Sequence, residues 1–432
     1  MISLRRTTLS IAILFILVCR TFSDSKPFRI VSYDIRLEYL GKGSMSVWAK
    51  ARILKDSSEV NLRFLFGHTA RLNSIKLKVN DDSLLIPYVE SDDTLTLQLP
   101  DTLQLKNNFD VLFEYSLGID SLPNGVVTLF RWYPFVFDNL ALYELTARTT
   151  RDYMILSPGT SPTNDDNVGK KTYVMHVRRP ISRMVLVIAK ADAYTIFERR
   201  RQGTTVNFFL LNRDTSFTGD TSVSNRFMNE SFCALDFCNH LVGPYSHEGL
   251  TLLEIPDMQG VISDPGFIMM GSTFLSIYRK NLYDWPPHEI AHQWFGSGAF
   301  SKHGDLKQWC IFEPMAEYIS LMFNECNVSG SLERDIDKKM TEYRSEYLGT
   351  KDDLPLIQSG PSRVTYLKGT YLMHRLRKKM GEGDWKQFLQ ALYHNFEGNI
   401  LTYEDFVRSL SGYCLECADM FARWVSAPGL PE

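Results

Sequence analysis

Two histidines four residues apart with a glutamate beside the first, His288-Glu289-Ile290-Ala291-His292, constrain this chain more than any other feature of its sequence. In a helix, residues four apart share a face, so both imidazoles can reach one ion about 2 Å from each nitrogen. Glu289 lies about 100° further round the axis, placed to polarise a water rather than to bind the ion. A zinc site that does chemistry takes three protein ligands and keeps one position open, so the motif calls for a third ligand from a neighbouring helix. Glu313 follows His292 after 20 intervening residues and is that candidate. Glu317, one turn further along the same face, is the candidate to accept a hydrogen bond from a ligand histidine's free N–H. Pro286-Pro287 suits the first turn of the motif helix, where a missing N–H is harmless. Pro314 removes a donor directly after Glu313, which places Glu313 in the first turn of its own helix.

The rest of the sequence supplies two kinds of pattern. From about residue 28 to 200, apolar and polar residues alternate in short runs, as in strands buried on one face. Val31–Leu40, Met45–Leu54, Val60–Phe66, Ser74–Val79, Thr94–Leu99, Val111–Tyr115 and Val185–Ile188 are such runs, with Asn80-Asp81-Asp82-Ser83 and Ser91-Asp92-Asp93 as turns. After about 205 the period becomes helical. Asn225–Val242 carries one apolar face, Asp384–Phe396 is a second helix, and Thr402-x-x-Asp405 opens a third with a capping-box pattern. The strand Gly249–Ile255 sits among them, which makes the second half α+β. The expected division is 1–23 as a signal peptide, 24–205 as a β-rich domain and 206–432 as the catalytic domain.

The chain has 432 residues, with 47 Lys plus Arg against 50 Asp plus Glu, a formal charge of −3. Arg5, Arg6 and Arg20 lie in the first 23 residues, where no acid occurs; without that segment the balance is 44 to 50, or −6. A mildly acidic chain has no footprint for a phosphate backbone, which excludes nucleic acid as the expected partner. Arg5-Arg6 precedes the apolar run Leu9–Cys19, and Thr21-Phe22-Ser23 offers small residues for cleavage before Asp24: the layout of an export signal, with about half the apolar length needed to span a bilayer. The expectation is an exported protein with no membrane span; Val18 is bulkier than the small residue that usually precedes a lipidated cysteine at Cys19. Cys414-Leu415-Glu416-Cys417 has metal-ligand spacing but no second pair to complete four ligands, so a local disulfide or free thiols are expected there.

His288-Glu289-Ile290-Ala291-His292-Gln293-Trp294-Phe295-Gly296, with Glu313 downstream, resembles the M1 zinc aminopeptidases of the gluzincin clan. In that family 18 residues separate the motif from the glutamate; here 20 do, which puts two extra residues in the loop 297–307. Phe312-Glu313-Pro314-Met315-Ala316-Glu317-Tyr318 is similar to the family's N-E-G-F-A-x-Y, and Tyr366-Leu367-Lys368-Gly369 to its Y-E-K-G. Arg131-Trp132-Tyr133-Pro134 and 152–157 resemble its amino-terminal β domain, and 421–425 with Gly429-Leu430-Pro431 the end of its catalytic domain. The resemblance implies an all-β, saddle-like sandwich followed by an α+β thermolysin-like catalytic domain, in a short form without the family's large carboxy-terminal helical domain. It also implies one Zn2+ per chain on His288, His292 and Glu313, Glu289 as general base, and Tyr366 as donor to the tetrahedral oxyanion. Peptides or proteins are the implied substrates.

Gly260-Val261-Ile262-Ser263 aligns with the family's G-x-M-E, whose glutamate grips the substrate's free α-amine; here the position is Ser263. A hydroxyl cannot pair with an ammonium. Asp264 is next door, but on an extended strand its side chain points the other way. The backbone of Gly260, Val261, Ile262 and Ser263 still offers strand addition to a peptide. The expected activity is therefore peptide hydrolysis by a metal-activated water. The alternatives are an endopeptidase or other zinc hydrolase with altered end-group selectivity, and a non-catalytic binding protein on a peptidase fold.

Overall fold

In a strand with one buried face, every second side chain must be apolar, and Phe28–Tyr39 meets this with Ile35, Leu37 and Tyr39 all under 4% exposed. The structure, a computed structural model, describes residues 28–41, 43–55, 60–67, 69–79, 82–100, 107–119, 121–159, 164–165, 169–212, 221–280 and 286–430. The export signal read at 1–23, with Cys19, lies outside them.

Phe28–Tyr39 pairs antiparallel with Ser44–Lys55 and parallel with Ala141–Thr150. They belong to an eight-stranded sheet, ordered Asn164–Asp165, Lys170–Ile181, Ala141–Thr150, Phe28–Tyr39, Ser44–Lys55, Asn108–Gly118, Ala70–Val79, Asp82–Leu85. Two three-stranded sheets accompany it, one of Asn61–Leu65, Thr94–Gln98 and Tyr88–Ser91, the other of Tyr153–Leu156, Leu186–Lys190 and Val126–Leu129. The segment Trp132-Tyr133 is buried in this β-rich part: the Trp132 indole donates to the Met184 carbonyl at 2.7 Å, and the Tyr133 and Tyr143 hydroxyls meet at 2.9 Å.

A five-stranded mixed sheet follows, ordered Tyr194–Arg201, Thr204–Leu211, Gly249–Ile255, Phe267–Gly271, Val261–Asp264. The change of sheet thus falls between Lys190 and Tyr194, because the hairpin 194–211 pairs with Gly249–Ile255 rather than with the earlier strands. The segment 261–264 is an edge strand bonded on one side only, to Phe267–Gly271.

Ten helices are described: α1 (Thr221–Leu241), α2 (Ser272–Arg279), α3 (Pro286–Ala291), α4 (Trp309–Asn327), α5 (Ser331–Glu346), α6 (Leu356–Ser359), α7 (Thr370–Met380), α8 (Glu382–Phe396), α9 (Tyr403–Tyr413) and α10 (Leu415–Ser426). A π-helical turn, Thr365–Gly369, leads directly into α7. The α9 capping box is present, with Thr402 Oγ1 accepting from the Asp405 N–H at 3.1 Å and Asp405 Oδ2 from the Thr402 N–H at 3.3 Å. Cys414 and Cys417 form a disulfide at the start of α10. By internal contacts the described chain divides into two compact units, one of Lys26–Phe232 with Ser246–Asp284, the other of Cys233–Tyr245 with Trp285–Glu432. The helix α1 contributes to both.

Candidate active site

The motif helix α3 is short. Pro286 and Pro287 open it, and regular helix ends at Ala291, yet His292 keeps its N–H on the His288 carbonyl at 3.2 Å. That bond holds the two imidazoles one turn apart. The chain then tightens, with the Gln293 N–H on Ile290 and the Trp294 N–H on Ala291, and turns at Gly296. Gly296 has a φ of 125°, and a Cβ there would stand 3.2 Å from His292 Nδ1, so only glycine lets the chain leave past the ligand.

Glu313 comes from α4, which begins at Trp309 after a 3₁₀ turn over Leu306–Gln308. This corrects one expectation. Glu313 is in the second turn, so Pro314 sits inside the helix with its ring buried rather than in the first turn. The preceding 3₁₀ turn runs straight into the helix and moves its start back, which leaves the Cys310 carbonyl without the N–H that a residue other than proline would offer.

The three side chains meet. His288 Nε2 and His292 Nε2 are 3.1 Å apart, and Glu313 Oε2 lies 3.4 Å from the first and 3.5 Å from the second. All the ligand atoms fall within 4.8 Å of one another. An ion about 2.0–2.1 Å from each of three tetrahedral ligands requires separations of about 3.3 Å, so the donor set fits Zn2+. The far nitrogens support the same reading. His288 Nδ1 is 2.9 Å from Glu317 Oε2, and His292 Nδ1 is 3.0 Å from the Phe295 carbonyl. Both are acceptors, so each Nδ1 donates outward and each Nε2 is left facing the common point.

Charge explains the remaining groups. The Glu317 carboxyl is held down at about 2, against its burial, by His288 and by Lys339, whose ammonium donates to Oε1 at 2.5 Å. Glu313 is held well below the usual carboxylate range by His292 and His288, which outweigh burial. For Glu289 burial dominates and raises its carboxyl, opposed by the charges of His288 and His292. The Tyr366 hydroxyl, carried by the π-helical turn, donates to Glu313 Oε2 at 2.7 Å, and burial together with Glu313 raises its pKa well above that of a free phenol. His288, Glu289, His292, Glu313, Glu317 and Tyr366 therefore form one cluster within the second compact unit.

Gly260, Val261, Ile262 and Ser263 belong to the other unit, on and beside the 261–264 edge strand. The neighbouring Asp264 is 5% exposed and is bound by the Arg183 guanidinium at 2.9–3.0 Å. Sequence spacing gave no signal for Lys339 or for the Phe295 carbonyl: the first lies on a helix 22 residues from its partner, and the second is a backbone group.

No protein-family model matches the chain. A third of it is similar to Aminopeptidase N of Lactococcus lactis subsp. lactis, 28% identical over 159 residues (33% of this chain, 18% of the relative). Aminopeptidase O of Homo sapiens is 23% identical over 181 residues (34% and 22%). The chain thus spans about a fifth of the length of the curated relatives it matches. A solved structure of an M1 zinc metallopeptidase from Deinococcus radiodurans superposes with a TM-score of 0.75 at 16% identity, covering 94% of this chain and 95% of that one. The chain has the M1 zinc metallopeptidase fold. A mutant of the Deinococcus radiodurans protein, bound to a Tyr-Ser-Ala substrate, gives a TM-score of 0.73 over 94% and 96%. At that coverage the M1 fold accounts for both the β-rich part and the helical part. The fold expected from the motif resemblance and the observed architecture agree.

Proposed function

We propose that the chain is a zinc-dependent peptidase of the M1 aminopeptidase type, exported through the segment 1–23, with 24–205 as the β-rich domain and 206–432 as the catalytic domain. The observation that carries the reading is the convergence of His288 Nε2, His292 Nε2 and Glu313 Oε2 within 3.1–3.5 Å, with both Nδ1 atoms committed elsewhere. One zinc ion per chain, held there, would supply Lewis acidity toward a peptide carbonyl and a water. Glu289 takes a proton from the attacking water and hands it to the departing amine; its raised carboxyl suits a group that must hold a proton and release it. Tyr366 supplies an O–H to the oxygen that gains charge in the tetrahedral state. Glu317 and the Phe295 carbonyl orient the imidazoles. The Gly260–Ser263 backbone aligns the peptide by strand addition.

A second reading, with altered end-group selectivity, is favoured by a specific observation. Ser263 is neutral, and the adjacent carboxylate of Asp264 is already paired with Arg183, so neither provides an acid for a substrate ammonium. Hydrolysis of matched peptides with free and acetylated amino termini tests both. Faster turnover of the free peptide supports the aminopeptidase; equal turnover moves the assignment to an endopeptidase. Zinc-loaded protein that cleaves neither leaves a binding protein or another hydrolase.

A further inference from the structure

Glycine and proline are the two residues a helix interior tolerates least. Pro314 inside α4 and Gly369 at the end of the π-helical turn are both buried, and they meet. A Cβ on Gly369 would stand 2.5 Å from Pro314 Cγ and 3.1 Å from its Cβ, far inside contact distance. The backbone does not call for glycine there, since its φ of −63° and ψ of −45° are ordinary helical values. The close approach does.

The place of this contact along both elements gives it meaning. Pro314 directly follows the ligand Glu313, and Gly369 lies three residues after Tyr366. The two flanked side chains share a hydrogen bond of 2.7 Å. The turn is pinned on its other sides as well: Thr365 Oγ1 donates to the Gly360 carbonyl at 2.6 Å, and Lys368 Nζ to the Ala427 carbonyl at 2.5 Å. With those anchors in place, the free variable is the spacing between the turn and α4. We propose that the Pro314 ring seated in the Gly369 notch sets that spacing, making both positioning residues for the Tyr366 hydroxyl.

The inference rests on the peptidase reading, and its test separates the two. In zinc-loaded full-length protein, Gly369→Ala must push the turn away from α4. The expected result is a fall in kcat of tenfold or more, within the roughly 10²–10³ lost with a whole oxyanion donor, while KM and zinc affinity measured by chelator competition stay within about twofold. Pro314→Ala, which removes the ring and suits the helix, should fold at least as well and also lower kcat. Gly369→Ala with Pro314→Gly moves the space to the other side of the contact and should recover most of the lost kcat. An unchanged kcat in either single variant overturns the positioning role, as does loss of kcat, zinc and thermal stability together with no recovery in the double variant. A wild-type protein that binds zinc and cleaves no peptide defeats the peptidase reading instead.

Discussion

At the scale of single residues, Glu289 and Glu313 are both acids in one cluster, and they stand differently toward the imidazoles. Glu313 offers Oε2 to both imidazoles, whereas Glu289 is felt by the ligands through charge. Glu289→Ala is therefore expected to keep its zinc by metal analysis while hydrolysis drops about 10²–10⁴-fold; full activity in that variant would remove the base assignment. Glu313→Ala should lose zinc at limiting metal, and unchanged stoichiometry would place the third ligand elsewhere. Lys368 gives a different kind of prediction. Its ammonium is fully buried, and burial lowers its pKa to about 8, opposed by Asp353. An exposed lysine titrates near 10.4, so between the two values the unfolded chain binds the extra proton and stability rises with pH. The full span is worth roughly 3 kcal/mol. Urea unfolding at pH 7.5, 8.5 and 9.5 should show this rise in the wild type and a flatter profile in Lys368→Met; identical slopes would mean that the lysine does not titrate there.

At the scale of elements, the capping box of α9 closes two N–H groups that nothing else in that helix can satisfy, so Thr402→Ala should cost about 1 kcal/mol by chemical denaturation, with the metal site untouched. A change within error would show that the helix is held by its packing alone. The same helix illustrates what a sequence reveals. Caps and one-sided strands are local, so Thr402-x-x-Asp405 and the alternation of Val31–Leu40 and Met45–Leu54 were legible. Ala141–Thr150 also alternates, but its inward residues include Ala141, Ala147 and Thr149, too small or too polar to stand out. Thr204–Leu211 and Phe267–Gly271 are covered on both faces, and an unbroken apolar run does not announce its period. The approach of His288 and His292 was legible because helical spacing fixes it. The depth of Pro314 in α4 was not, because it depends on where the preceding 3₁₀ turn starts. Lys339 was not, because its partner lies on another helix.

At the scale of the whole molecule, the two compact units are expected to unfold as two transitions, and the candidate site gives each a different sensitivity. Every side chain of the cluster belongs to Cys233–Tyr245 with Trp285–Glu432, so metal bound there stabilises that unit and not the one built on the large sheets. The cluster's own charges show why it should want a cation. Three buried carboxyl groups, those of Glu289, Glu313 and Glu317, crowd the two imidazoles, and Lys339 is bound to Glu317, so a cation among the three ligand atoms offsets their negative charge. A ligand that binds only the folded state contributes about 2.7 kcal/mol at a hundred times its Kd. Calorimetry of the zinc-loaded and chelator-treated protein should therefore show one transition moving down by several degrees on metal removal while the other stays in place. Re-addition of zinc to one ion per chain should restore it. If both transitions shift equally, or neither does, the ion is not held by His288, His292 and Glu313 alone, and the assignment of this cluster as the metal centre fails.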